Sequence, residues 1–212
     1  MKLRVTFILA LGSAMTLPAQ APTNAVKAHT SDLGFSYGLP SDWQVVDSQA
    51  TLPQVKEQAA EKAGSDEEKR GVQCVQMALT ARKGNPPSVI VVVAMPFDCF
   101  GQTMTEQDLP GFASGASEGL KRTFDLGEPV SSNYELGGHK MWVERAKGTP
   151  QGQTAPQYTI EVACGLLKKA AVCWMTMAAA DADLAAFEKG PVALDGGAPA
   201  ALVPTSVYAV KP

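Results

Sequence analysis

The chain has 212 residues, 45% of them hydrophobic and 18% charged, with a formal net charge of −3 and four cysteines. That length gives one domain with enough chain for a substantial core. The mildly acidic balance lacks the basic footprint that phosphate backbones or anionic lipids require, which argues against nucleic acid as a partner.

Residues 1–21 read as a secretory signal. Lys2 and Arg4 form a basic start, VTFILALGSAMTL an apolar run, and Pro18-Ala19-Gln20-Ala21 a small-residue cleavage region. The apolar run is short for a membrane span and no basic flank follows it, so no span is expected after cleavage. Cleavage after Ala21 would place Pro22 at the new N-terminus, which peptidases tolerate poorly, so Ala19 remains a second candidate. No cysteine lies near the cleavage region to take a lipid anchor. Removing the leader takes away Lys2 and Arg4 and no acidic residue, making the mature chain more acidic. Residues 22–32 are small, polar and proline-bearing and read as a loose N-terminus in which His29 is an exposed bystander.

Order is expected from residue 33. Phe35, Tyr37 and Leu39 alternate with small residues as a short strand with one apolar face. Pro40-Ser41-Asp42 makes a turn, and Trp43, Val45 and Val46 begin another strand. An aromatic strand followed by Leu-Pro, a polar pair and Trp resembles the opening of the PsbP-like family. That resemblance implies an α-β-α sandwich of the kind found among secreted and envelope proteins. Members of the family do unrelated jobs, so it implies a fold more than an activity. No residue here carries over the photosystem role of PsbP itself.

Good helix formers predict a helix from residue 52, with Val55, Ala59, Ala60 and Ala63 at helical spacing and Gly64 as its stop. The mixed-sign run Asp66 to Arg70 reads as a solvated loop. Residues 71–83 and 88–100 then form a hairpin through Gly84-Asn85-Pro86-Pro87. Val89 to Val93 are five consecutive β-branched residues, the pattern of a strand covered on both faces. Folding symmetrically about the prolines brings Cys74 opposite Cys99.

In 103–124, Leu109, Phe112, Ala113, Ala116, Leu120 and Phe124 share one helical face. Pro110 fits only a first turn, so this helix starts near Asp108. Residues 128–148 form a second hairpin about Gly137-Gly138. Its register sets Leu136 against His139 and Tyr134 against Met141, and turns Trp142 and Glu144 to the opposite face. A third hairpin, 157–166 with 171–180, turns at Lys168-Lys169. It pairs Leu166 with Ala171, Cys164 with Cys173, Val162 with Met175 and Ile160 with Met177. Asp181-Ala182-Asp183 opens a short helix, capped by Asp181 or Asp183, that Gly190 ends. The Ala/Gly/Pro-rich tail, 191–212, is either disordered or adds an edge strand over Ser206 to Val210.

These elements predict an α+β domain over residues 33–190, mainly an antiparallel sheet built from hairpins and flanked by helices. In an oxidising compartment the four cysteines read as two structural disulfides, Cys74–Cys99 and Cys164–Cys173.

Chemistry is sparse. Gly115-Ala116-Ser117-Glu118-Gly119 fits the G-x-S-x-G pattern, with Asp125 and His139 following in hydrolase order. A nucleophile elbow needs a strand before the serine, and LPGFAS is none, so Ser117 reads as a helix residue. His139 and Glu144 fall on opposite strand faces and make no metal site. Trp174, Met175 and Met177 read as core before they read as a ligand groove. The expectation is therefore a secreted or periplasmic, non-catalytic binding or accessory module without cofactor, metal or catalytic residues. Its partner is a protein or a small apolar ligand. The competing expectations are a serine hydrolase using Ser117 and a purely structural envelope protein.

Overall fold

A computed structural model describes residues 27–47, 52–61, 63–101, 103–189 and 192–208. The expected leader, 1–21, and the last four residues lie outside the described residues. In chain order the elements are β1 (Lys27–Thr30), β2 (Phe35–Leu39), β3 (Gln44–Val45), α1 (Leu52–Glu61), α2 (Asp66–Cys74), β4 (Gln76–Lys83) and β5 (Ser88–Pro96). There follow α3 (Phe97–Phe100), a 3-10 turn (Glu106–Asp108), α4 (Leu109–Leu120), β6 (Phe124–Leu126), β7 (Val130–Leu136) and β8 (His139–Pro150). The chain continues through β9 (Tyr158–Leu166), β10 (Ala170–Ala178), α5 (Asp181–Glu188), β11 (Val192–Leu194) and β12 (Val203–Tyr208).

Nine strands make one antiparallel sheet in the order β12-β7-β8-β9-β10-β5-β4-β3, with β6 pairing off β8; β1-β2-β11 form a second, three-stranded sheet. The apolar run of β5 is buried on both faces between β4 and β10, as unbroken β-branched sequence requires. Both later hairpins take the registers that face matching predicts. Tyr134 lies opposite Met141 and Leu136 opposite His139. Cys164 lies opposite Cys173, and Ile160, Val162 and Leu166 opposite Met177, Met175 and Ala171. Lys168 and Lys169 are poor residues for a tight turn, and a tertiary contact supplies what they lack. The Asp195 carboxylate accepts the Lys168 N–H at 3.1 Å.

The large sheet is the middle layer. On one face α4 lays Leu109, Phe112, Ala113, Ala116 and Leu120 against Val91, Val93, Ile160, Val162 and Met175, with Cys74 and Val75 at the end of α2 joining this cluster. Gly115 and Gly119 are buried on the same helix, where they let it approach the strands closely. On the other face, the small sheet (Phe35, Tyr37, Leu39, Val192, Leu194) and Phe187 of α5 cover Ile90, Val92, Val143, Ala163 and Trp174. The α-β-α layering is thus present, with the second outer layer part helix and part sheet. Met175 and Met177 fall in the first core and Trp174 in the second, so none of them lines a groove.

Several expectations need correcting. The charged run at 66–70 is the start of α2, capped by Ser65, whose Oγ accepts the Glu68 N–H at 3.1 Å. Glu68 reaches back to the Gly64 N–H at 2.6 Å. Ser65-x-x-Glu68 is a capping-box sequence, and it was the signal for a helix there. Residues 71–74 therefore belong to a helix and not to a strand. Cys74 and Cys99 still join, with Cα atoms 5.6 Å apart, but they link the end of α2 to the short α3 instead of bridging a ladder. The second disulfide, Cys164–Cys173, does bridge its ladder, with Cα atoms 4.1 Å apart. Phe124 opens β6 beyond the end of α4, and the cap of α5 is Ala180, neither Asp181 nor Asp183.

The ordered unit also extends past 33–190 at both ends. Lys27–Thr30 pairs with β2, and the half-buried His29 contacts the Ala78 carbonyl through Nε2. Val192–Leu194 pairs with the other edge of β2, and Val203–Tyr208 adds the edge strand beside β7. The edge-strand reading of the tail thus holds, with the strand starting earlier than Ser206, whereas the strand at 192–194 is hidden because its partner lies far away in the chain.

Candidate functional site

Ser117 sits in the third turn of α4 and points at the sheet. Its hydroxyl donates to Glu144 Oε2 at 2.6 Å, while Trp142 Nε1 donates to Glu144 Oε1 at 3.4 Å. His139 lies on the opposite face of the sheet. Its Nδ1–H donates to the Leu166 carbonyl at 3.0 Å, and its Nε2 stands 3.9 Å from Asp195. Serine and histidine are therefore separated by the sheet itself. A serine nucleophile needs a base within reach; the partner here is a carboxylate that holds the hydroxyl as a structural donor. The cleft beside Ser117 has a volume of only about 80 Å³, well under the roughly 300 Å³ at which small-molecule sites begin.

A larger opening lies on the same face of the sheet, towards the β12 edge. It is a groove of about 450 Å³ bounded by the 3-10 turn, the first turn of α4, the β7–β8 hairpin and β12. Trp142, Leu109 and Pro110 give it apolar surface; Gln107, Asn133 and Thr205 give it neutral hydrogen-bonding groups. Two features fix its walls. Thr105 and Asp108 cap each other across the 3-10 turn, and Lys140 Nζ pairs with Glu106 Oε2 at 2.6 Å, tying the β8 strand to that turn. At the β12 wall the ladder is irregular between Pro204 and Ser206, and Thr205 Oγ1 donates to the Asn133 carbonyl at 3.1 Å. A bulge at a sheet edge re-aims one side chain in this way. Sequence reading placed Trp142 on this face but gave no sign of the groove, whose walls come from three separated segments.

A third polar centre lies on the opposite face. Arg145 of β8 donates through Nε to Glu161 Oε2 at 2.6 Å and through Nη2 to Glu188 at the end of α5. Its guanidinium also lies 5.0 Å from the centre of the Tyr134 ring, a cation–π contact. Glu161 is wholly buried, and its Oε1 has no hydrogen-bond partner. Burial, and after it the neighbouring Glu188 carboxyl, push Glu161 up to about 8 against the pull of Arg145. In sequence Glu161 looks like a polar residue on the solvent side of an alternating strand. Its burial is imposed by α5, which covers that side.

At its other end α5 is held by ion pairs. Lys83 bridges Asp183 and Asp42 at 2.8 Å each, and Ser88 Oγ donates to Asp183 at 2.5 Å. Burial alone would raise Asp183, but the hydrogen bonds from Lys83 and Ser88 outweigh it and leave the carboxyl below its usual range. Among the described residues no group of three or more His, Cys, Asp or Glu could hold a metal ion. No helix there is long and apolar enough to cross a membrane.

No family model matches the chain, and no curated protein matches its sequence. Among solved structures, the chain is similar to the solution structure of cyanobacterial PsbP (CyanoP) from Synechocystis sp. PCC 6803. That similarity has 11% identity and a TM-score of 0.40, and covers 81% of this chain and 91% of the other. At that score the architecture rests on the strand pairing described above.

Proposed function

We infer that this protein is a non-catalytic binding or accessory module that works outside the cytoplasm and makes its contact through the groove at Trp142. The observation that carries this reading is the groove itself. It falls within the size range of ligand sites, and it combines an aromatic and aliphatic floor with neutral polar groups and with the charged Glu106, Glu135 and Lys140 in its lining. Two disulfides support the compartment, since such bridges persist where the surroundings are oxidising, and the leader-like start of the chain agrees. The Ser117–Glu144 bond favours the non-catalytic reading over the hydrolase. The partner is a protein segment or small molecule with an apolar side to set against Trp142, Leu109 and Pro110.

Photo-crosslinking in the native envelope tests the reading. A photoreactive residue at Gln107, on the groove rim, should give a discrete adduct that Trp142→Ala weakens, while the same residue at Lys69 on α2 should give none. Equal labelling from both positions, or none from Gln107, would favour a purely structural envelope protein instead.

A further inference from the structure

Two carboxyl groups and one guanidinium meet where the C-terminal end of α5 rests on the sheet. With every group ionised, the cluster would carry one uncompensated negative charge around Glu161, a side chain with 0% exposure. A buried carboxylate with an oxygen lacking any donor is costly. One proton removes both problems. It balances the charge of Arg145 against a single carboxylate, and it gives the Glu161 carboxyl a hydrogen to donate to the neighbouring Glu188 carboxylate.

We propose that Arg145, Glu161 and Glu188 form a proton-operated latch that fixes the end of α5, and the segment leading into β12, onto the large sheet. The connection to β12 is direct, because the main-chain carbonyl of Glu188 accepts the Leu202 N–H at 2.8 Å. The charged or titratable groups facing Glu161 are Arg145 from β8 and Glu188 from α5; Tyr134 from β7 lies under the same guanidinium. From β10 comes only the buried hydroxyl of Thr176, directly opposite in the ladder. Lys147, further along β8, is engaged by Thr159 and Asp181 at the far end of α5. Glu188 is the movable member, since it rides on an eight-residue helix and remains partly exposed.

The direction of the response follows from proton counting. Closed, Glu161 keeps its proton up to about pH 8; with α5 lifted, it ionises in the ordinary carboxylate range. The closed form therefore holds one extra proton between these two limits. The latch is tightest in acid and loosens as pH rises, by up to about tenfold in the opening equilibrium per pH unit. Above about pH 8 the closed form has lost its proton too, and the dependence levels off. The latch operates whatever the Trp142 groove binds.

Amide hydrogen exchange on the full chain, corrected for the intrinsic pH dependence of exchange, tests this. In wild type, the amides of α5 and of Leu202 should lose protection by roughly an order of magnitude per pH unit between about pH 5 and 8. Glu161→Gln, which keeps the shape without the titration, should flatten that slope. Glu188→Gln supplies a second route should the buried substitution impair folding. It leaves Arg145 to Glu161 alone, so the slope should flatten and the carboxyl ¹³C titration of Glu161 should move to lower pH. A wild-type response that is flat, a slope that survives Glu161→Gln, or a Glu161 that titrates in the ordinary carboxylate range would each overturn the latch.

Discussion

The two faces of the nine-stranded sheet solve the problem of burial differently. Under α4 the core is mainly aliphatic, thioether and disulfide, with Phe112 and the Phe124–Tyr158 pair among them, and its polar pair, Ser117 with Glu144, is mutually satisfied. Under α5 and the small sheet the core is richer in aromatic rings and in buried polar groups. Phe187 packs against Tyr37 and Trp174 with ring centroids 5.0 and 5.6 Å away. All five buried side-chain atoms without partners among the described residues belong to this face: Tyr37 Oη, Trp43 Nε1, Glu161 Oε1, Trp174 Nε1 and Thr176 Oγ1. Buried polar groups left unpaired cost stability. The helix face is therefore the stabilising half, and the other face is where the molecule can afford to respond to its surroundings.

The largest expected effect is the loss of the staples on the helix face. Loop-closure entropy assigns about 3.5 kcal/mol to Cys74–Cys99, whose partners are 25 residues apart, and about 2.6 kcal/mol to Cys164–Cys173, 9 apart. Reactivity runs in the same order, because Cys99 is exposed whereas Cys164 and Cys173 are wholly buried. Mild reductant should open Cys74–Cys99 first, giving a folded species with two alkylatable thiols and a lowered denaturation midpoint. Peptide mapping that found Cys164 and Cys173 alkylated first would mean that the ladder opens more readily than the α2–α3 corner.

Ser117→Ala asks whether the polar pair on this face is structural. Removing a donor to a largely buried carboxylate costs about 1.5–3 kcal/mol, and the better helix propensity of alanine returns about 0.5 kcal/mol. The variant should thus lose about 1–2.5 kcal/mol in chemical denaturation, and a fluorophosphonate probe should leave wild-type Ser117 unlabelled. Labelling of Ser117, with ester hydrolysis that the alanine variant lacks, would reinstate the hydrolase.

What could be read in the sequence divides along physical lines. The β7–β8 and β9–β10 registers were legible because facing apolar positions match across each hairpin, and a one-residue slip would break that matching. The interior position of β5 was legible from Val89–Val93 alone. Ser65 and Glu68 announce the start of α2, but the mixed-sign charges around them have the pattern of a solvated loop. The pairing of Cys74 with Cys99 rests on extending the β4–β5 hairpin symmetrically about its prolines. The hairpin is there, but its ladder pairs Lys83 with Ser88 and ends at Gln76. It is a helix end and a turn of α3 that meet at the cysteines. The groove and the Arg145–Glu161–Glu188 cluster could not be read at all. Each is assembled from strands and a helix remote in sequence, and burial of Glu161 depends on where α5 lands.

The smallest effect has the most informative sign. Thr176 is wholly buried and its hydroxyl is unpartnered, between Ile90 on one neighbouring strand and Glu161 on the other. Thr176→Val keeps the branched shape, suits a strand, and removes a desolvated hydroxyl that returns nothing. It should raise stability by about 1 kcal/mol at neutral pH, whereas most core substitutions lower it. If the variant is instead less stable, the hydroxyl is engaged, and pH tells with what. A loss that grows as pH rises towards 8 would mean that the hydroxyl donates to ionised Glu161. Thr176 would then be a fourth member of the cluster, and the face under α5 would be better satisfied than its unpaired atoms indicate. A loss independent of pH would point to a contact outside the latch. A gain would leave the contrast between the two faces as drawn.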